Sequence, residues 1–465
     1  MRSRKRTSPR RTELIPSAKR LVHSLRDIGY DLASAVADLV DNSIAAGATA
    51  VHVDTQFAGA NSWIRITDNG TGMTEKRLTE AMRFGTRRDY GHEELGKFGL
   101  GLKSASLSQC RRFTVATRTT LKTPIRVAQW DIDHVETTDR WEVLRPGVRG
   151  VRAEAVVPLR RRRGTVVLWE ILDRVFRYRV QDGQRAHGGF EEASREVEEH
   201  LEMVFHRFLE GSARRRRPLN IYVNGRQLQP WDPFARSEPA TFRLAKQVLR
   251  LSHDGANHLI AIEPFVLPPE AAFSSGAAHR RASGPRKWNR QQGFYFYRND
   301  RMIQSGGWNR LRTTDEHVKL ARVSVDFSAA VDSAFELNVS KTQVRIPTPL
   351  RSEFSALASS VAQIAQNAYR RPSAGYEMAG GSPDGDPRVH AISELVTMIV
   401  DAVVQLIAGE LDQQPAVRDR LLERIRVMQQ SFSDDLYVAV ASNGHASSNG
   451  SSAVVDRDYK ATIAG

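Results

Sequence analysis

Between Asp31 and Ala46 apolar side chains recur at helical spacing, and Gly47 closes the run. Directly afterwards Ala50–Gln56 and Trp63–Asp68 alternate every second residue. A change of period from about 3.6 to about 2 over so short a stretch lays a helix back on a pair of strands, which is how an α/β layer structure starts. The pattern continues on both sides. A helix is expected at Ala18–Leu25, a turn at Asn69–Gly72, a short helix at Thr74–Phe84, and a glycine-punctuated segment, Gly85–Gly101, running into another helix. Strands are expected at Arg112–Thr117, Ile125–Ile132 and Gly164–Glu170, and the amphipathic stretch Phe190–Glu210 reads as one helix. This α/β unit ends near Arg214–Pro218.

The chain has 465 residues, and at roughly 150 per domain more than one unit is expected. A second, α+β unit begins with the strand-turn-strand pattern Leu219–Leu228, whose Asn224–Gly225 is a hairpin signal. Strands follow at Thr241–Leu251, His258–Phe265, Gly293–Tyr297 and Ala321–Phe327, with a helix at Leu350–Arg371. Between Pro268 and Trp288 small residues, proline and arginine dominate, which predicts a mobile basic loop. The expected division is a basic arm at 1–13, a first domain at 14–215, a second at 216–371, a glycine- and proline-rich linker at 372–387, a helical hairpin at 388–432 and a disordered tail at 433–465. The hairpin's stripes, with Ile392, Leu395, Val396 and Ile399 in the first, fit core packing or self-association alike.

Charge narrows the partners. Lysine and arginine number 68 against 53 acidic residues, a net charge of +15, and the excess clusters in Met1–Arg11, Arg160–Arg163, Arg214–Arg217 and Arg280–Arg312, where Asp300 is the sole acid. Such clustering suits a polyanion, although an arginine-rich surface alone does not require one. The single cysteine, Cys110, excludes an internal disulfide and a thiolate metal cluster, and fits a reducing, cytoplasmic setting. The longest apolar run, Ile392–Ile407, is interrupted by Glu394 and Asp401, so no membrane span is expected.

Three segments carry possible chemistry. In Asp38-Leu39-Val40-Asp41-Asn42-Ser43, positions 38, 41 and 42 stand on one helix face. A carboxylate there can hold a water and a carboxamide can coordinate Mg²⁺, or the face is simply solvated. In Asp68-Asn69-Gly70-Thr71-Gly72-Met73, after a strand, Asp68 can accept from an exocyclic amine while the glycines let backbone approach a flat ring; the same residues also make an ordinary turn. Gly96-Lys97-Phe98-Gly99-Leu100-Gly101-Leu102-Lys103-Ser104 enters a helix with free backbone N–H groups, an anion seat that is neither a dinucleotide fingerprint nor a Walker loop.

In this order, and followed by the strand Gly164-Thr165-Val166-Val167-Leu168-Trp169, the boxes resemble those of the GHKL ATPases, the superfamily of gyrase B, the MutL mismatch-repair proteins, the large heat-shock chaperones, sensor histidine kinases and the MORC proteins. The resemblance implies a GHKL (Bergerat-type) α/β sandwich ATPase domain, then a transducer-like α+β domain and a C-terminal helical segment. It implies ATP and Mg²⁺ as cofactors, Asn42 as the Mg²⁺ ligand, and Asp68 as the reader of the adenine amino group, assisted by Thr165. Gly70, Gly72 and Met73 would lie by the base. Lys97, Phe98, Gly99, Leu100, Gly101 and Ser104 would cradle the phosphates, with Lys103 adding charge and Gly85–Lys97 forming a lid. Asp38 stands where most relatives carry a glutamate base. One methylene less is on the order of 1 Å of reach, so slow hydrolysis is expected.

No phosphoacceptor histidine precedes the boxes in a kinase-like setting; His23 lacks an adjacent acid. Instead Asn338-Val339-Ser340-Lys341-Thr342-Gln343 resembles the transducer loop whose lysine reaches the terminal phosphate, which makes Lys341 the second catalytic candidate. The segments Ile221–Arg226, Trp231–Phe234 and Gly293–Asn299 look most like MORC-type proteins, including bacterial ones. The likeness implies an ATP-dependent homodimeric clamp on double-stranded DNA, in antiviral defence or DNA repair, with nuclease or helicase partner proteins and no membrane. The rival expectation is a nucleotide-gated scaffold or chaperone-like module for a protein client, with little turnover.

Overall fold

The computed structural model describes residues 16–27, 29–84, 101–175, 182–214, 217–337 and 344–370. The expected arm, the lid Gly85–Lys97, Phe98, Gly99 and Leu100, the 338–343 loop with Lys341, the linker, the helical hairpin and the tail all lie outside the described residues.

The chain enters through α1 (Ala18–Arg26), capped by the Ser17 hydroxyl, and α2 (Leu32–Ala45), where the Asp31 carboxylate accepts from Ser34 N at 2.6 Å. Such side-chain caps satisfy amides that a helix start leaves without an internal partner. The strands β1 (Ala50–Gln56) and β2 (Trp63–Asp68) follow, then α3 (Glu75–Met82), α4 (Gly101–Leu107), β3 (Arg112–Arg118), β4 (Arg126–Asp131), α5 (Ile132–Thr138), α6 (Ala153–Val156) and β5 (Gly164–Glu170). Next come α7 (Gln184–Val204), α8 (His206–Leu209), β6 (Asn220–Val223) and β7 (Arg226–Gln227). These strands form one seven-stranded mixed sheet in the order β4-β3-β5-β2-β1-β6-β7. β5 shows why it has two faces: Val167 and Trp169 enter the main core with α2 and α7, whereas Val166 and Leu168 meet Ala155, Val156 and Leu159 on the other side.

Two expectations change here. The hairpin Leu219–Leu228 does not open a separate unit, because β6 pairs in parallel with β1, Ala50 facing Asn220 and Val53 facing Val223, and so extends the first sheet. The helix expected from Phe190 starts earlier, at Gln184, and breaks at Phe205 between α7 and α8.

Beyond β7 the chain continues as β8 (Phe242–Arg243), β9 (Gln247–His253), β10 (Ala256–Val266), α9 (Gly276–Ala282), α10 (Lys287–Gln291), β11 (Gly293–Arg298), β12 (Arg301–Gln304), β13 (Ala321–Phe327) and α11 (Arg351–Arg370). The second sheet runs β12-β11-β13-β10-β8, with β9 also on β10. β11 is buried on both faces: Phe294 and Phe296 pack with Phe354 of α11, while Tyr295 and Tyr297 turn toward the first core. His206 Nε2 meets Tyr297 Oη at 2.9 Å there, so the sheets share packing as well as chain. The stretch expected to be a mobile loop carries α9 and α10 instead. Their attachment is aromatic, with His279 stacked on Trp288 at 4.8 Å between ring centres and Phe273 edge-on to both.

Candidate nucleotide site

β2 ends at Asp68, and the sheet register sets Asp68 opposite Thr165 on β5 and opposite Val51 on β1. Its carboxylate is nearly buried. Oδ1 accepts from Gly70 N at 2.8 Å and Thr165 N at 3.2 Å, and Oδ2 accepts from the Ser43 hydroxyl of α2 at 3.4 Å. Burial pushes its pKa from 3.8 up to about 6, against the opposing pull of these donors. An ionised carboxylate offers about four acceptor positions, and among the described residues three are used. A further donor can therefore be taken on Oδ2.

The turn after Asp68 is shaped by close approach. Thr71 N donates to Ala46 O at 3.0 Å, and a Cβ on Gly70 would come within 2.9 Å of the Ala46 methyl and carbonyl. Gly72 has φ +64°, and its added Cβ would fall 2.2 Å from Arg118 O. Met73 N then donates to the Thr117 hydroxyl at 2.8 Å, and Thr117 Oγ1 lies 3.2 Å from Thr165 Oγ1. Asp68, Gly70, Gly72, Met73 and Thr165 are thus brought into one connected corner. Sequence reading missed two of its members, Thr117 and Ser43. Thr117 sits directly opposite Thr165 in the β3–β5 register, a placement that only the pairing reveals, whereas Ser43 was visible in the Asp-Asn-Ser segment.

Farther back on α2, Asp38 and Asp41 are buried at 3% and 2% exposure, while Asn42 is exposed. Asp38 Oδ2 accepts from the Tyr30 hydroxyl at 2.8 Å, and burial with this carboxylate raises the Tyr30 phenol above its ordinary range. The cation facing the two carboxylates comes from the second sheet. Arg301 of β12 brings Nε to 3.2 Å from Asp41 Oδ1 and Nη2 to 3.9 Å from Asp38 Oδ1. Neither Tyr30 nor Arg301 was predicted. Arg301 is 260 residues from Asp41 in the chain, and no sequence periodicity links such a pair.

The start of α4 lies against this corner, since a Cβ on Gly101 would stand 3.4 Å from Asp38 Oδ2. Ser104 Oγ is buried and has no hydrogen-bond partner among the described residues. Lys103, expected to add charge at the phosphates, is largely buried. Its Nζ donates to Ala81 O of α3 at 3.0 Å, and burial pushes its pKa down to about 8, with Glu80 opposing. That bond ties α4 to α3.

These residues fit a nucleotide with one divalent cation. An exposed carboxamide at Asn42, a closely approached glycine turn beside Asp68 and an unsatisfied hydroxyl at Ser104 supply oxygen and donor groups of the needed kinds. Among the described residues no group of three His, Cys, Asp or Glu side chains could cage a metal. Mg²⁺ suits such a site, because it keeps waters and shares substrate phosphates rather than requiring an all-protein cage.

Helices on a mixed sheet, with a strand-end aspartate and a helix-borne asparagine on neighbouring elements, make an α/β domain with a candidate nucleotide site. Residues 30–161 match the family described as histidine kinase-, DNA gyrase B-, and HSP90-like ATPase, and this segment is similar to a GHKL-type ATPase domain. It is similar to the DNA mismatch repair protein MutL of Colwellia psychrerythraea, 36% identical over 91 residues, which are 18% of this chain and 14% of that protein. It is also similar to MutL of Aliivibrio salmonicida, 36% over 127 residues (26% and 18%), and of Haemophilus influenzae, 33% over 120 residues (25% and 16%). The matched segment spans less than a fifth of these relatives. Among the described residues no helix is long and apolar enough to cross a membrane.

Proposed function

We propose that this chain is a Mg²⁺-dependent ATPase of the MORC type that acts as an ATP-gated homodimeric clamp on double-stranded DNA. Its setting is cytoplasmic genome defence or DNA repair, with nuclease or helicase partners. The observation that carries the nucleotide half is the Asp68 corner, where a buried carboxylate keeps one acceptor position beside a glycine turn. In this reading residues 14–215, together with the β6–β7 hairpin, form the ATPase domain, and the chain to 371 forms a transducer-like domain.

Asp68 accepts the adenine amino group on Oδ2, while Thr165 and Thr117 hold the corner's register. Met73 and the side-chain-free Gly72 lie along the base. Gly99, Leu100, Gly101 and Ser104 donate to phosphate oxygens, with Lys97 and Phe98 at the loop's entry and Lys341 supplying a cation to the terminal phosphate. Asn42 coordinates Mg²⁺, which when bound draws charge from the phosphates. Asp38 takes a proton from the attacking water. With its short side chain it does so slowly.

The DNA half is supported by charge. Arg160, Arg161 and Arg163 are exposed on one segment, and Arg280, Arg281, Arg286, Lys287 and Arg290 are exposed along α9 and α10. Phosphate contacts of this kind bind without base specificity and weaken steeply with salt. Steady-state ATP hydrolysis with and without double-stranded DNA, at low and moderate salt, tests the proposal. DNA should stimulate turnover and salt should remove the stimulation. Intact ATP binding with no turnover under any of these conditions would sink the clamp reading in favour of a nucleotide-gated scaffold.

A further inference from the structure

Asp300 and Arg301 sit at the junction of β11 and β12, next to each other in sequence, and grip different elements. The Asp300 carboxylate accepts from Arg207 Nη1 of α8 at 3.1 Å and from Arg214 N at 2.9 Å. Arg301 turns to α2. Its Nη1 is spent on Met302 O at 3.1 Å and its Nε on Asp41, and its guanidinium lies 5.8 Å from the Phe205 ring centre. Arg301, Asp41 and Asp38 are all at least 95% buried. Two of the guanidinium's nitrogens are thus fixed, and because the group is planar the third is fixed with them.

That third nitrogen, Nη2, faces Asp38 Oδ1 at 3.9 Å. The separation is longer than a hydrogen bond, yet close enough in a buried setting to orient a carboxylate by charge. The Tyr30 hydroxyl holds Oδ2 from the other side at 2.8 Å. Oδ1 is thereby aimed without being tied to Arg301 by a hydrogen bond.

We infer that Arg301 is a positioning residue for Asp38, through which the second sheet sets the reach of the hydrolytic base. The inference rests on the reading of Asp38 as that base. A shift of the β11–β12 tip carries Nη2 with it, and a misplacement of about 1 Å near reacting groups costs on the order of 100-fold in rate. Asp38 is competent only while the hairpin stays seated on α2 and α8. Hydrolysis and the posture of the second sheet are therefore coupled within one chain.

Single-turnover and steady-state ATP hydrolysis by the full chain tests this, using Asp38→Asn, Arg301→Lys, Asp41→Asn and the double variant Arg301→Met/Asp41→Asn. The double variant removes the charge pair together, so that no buried carboxylate at Asp41 is left without its cation and the fold is spared. Relative to Asp41→Asn alone, it should lose at least about tenfold in kcat with KM within about twofold. Arg301→Lys should recover part of that loss. A folded double variant with unchanged kcat, alongside an inactive Asp38→Asn, would overturn the positioning role and leave the base assignment standing. Parallel changes in kcat and KM across all Arg301 variants, with no rescue by lysine, would reduce Arg301 to a structural tie. Wild-type turnover in Asp38→Asn would instead remove the base reading, and this inference with it.

Discussion

The Asp68 corner and the Asp38 corner share one helix, α2, and lie about one and a half turns apart along it. They are built in opposite ways. Asp68 takes its hydrogen-bond partners among the described residues from within the first sheet and its helix: Gly70, Thr165 and Ser43. Asp38 and Asp41 face the Arg301 guanidinium of the second sheet. In the proposed reading, recognition of the base is a local property of the first sheet, whereas the carboxylate assigned to hydrolysis depends on an element of the second. The proposed clamp would use that division, because nucleotide could then bind before the second sheet licenses its hydrolysis.

The comparison breaks most sharply at Asp68. Asp68→Asn replaces an acceptor by a group that also donates, and should weaken ATP binding by more than about 100-fold, on the order of 3 kcal/mol, measured by titration calorimetry. Retained affinity would move the base elsewhere. Gly72→Ala forces a side chain into a positive-φ position and against Arg118 O. It should destabilise the fold by about 2 kcal/mol or more, visible in thermal melting. An unchanged melting temperature would mean that the turn is looser than described.

Acidification separates binding from stability at the same group. The folded pKa of Asp68, about 6, lies above its ordinary 3.8, so its contribution to stability is full below about 4 and is lost as pH rises through 6. Acceptance of the adenine amine runs the other way. ATP affinity should fall about tenfold between pH 7 and pH 5 as Asp68 takes up its proton, and Asp68→Asn should flatten that limb. The smallest effect is expected at Lys103. With Nζ donating to Ala81 O, Lys103→Met should alter stability by about 1 kcal/mol and ATP affinity by less than about twofold; a large loss of affinity would give its charge the greater part at the phosphates.

The adenine corner was legible because its parts are contiguous. A strand followed by Asp68-Asn69-Gly70-Thr71-Gly72 names both the acid and the turn, and the helix before it names Asn42, with Ser43 beside it but given no role. The sheet partner Thr117 was hidden, since register between strands separated by dozens of residues is fixed by tertiary pairing. Arg301 was hidden for the same reason. The contact of Lys103 with α3 was not legible, because a lysine beside a glycine loop suggests phosphate and only the fold brings Ala81 O within its reach. The α9–α10 stretch read as loop because small residues, proline and arginine dominate it, and yet Phe273, His279 and Trp288 supply enough aromatic contact to pin two short helices.

The division between the two corners is tested most directly by titrating a non-hydrolysable ATP analogue with Mg²⁺ into the wild type, Asp68→Asn, Asp38→Asn and the Arg301→Met/Asp41→Asn double variant. The account predicts that Asp68→Asn alone loses binding, while the other two bind within about threefold of the wild type and fail only in turnover. Equal loss of affinity at both corners would contradict it, because binding would then depend on the second sheet as much as hydrolysis does.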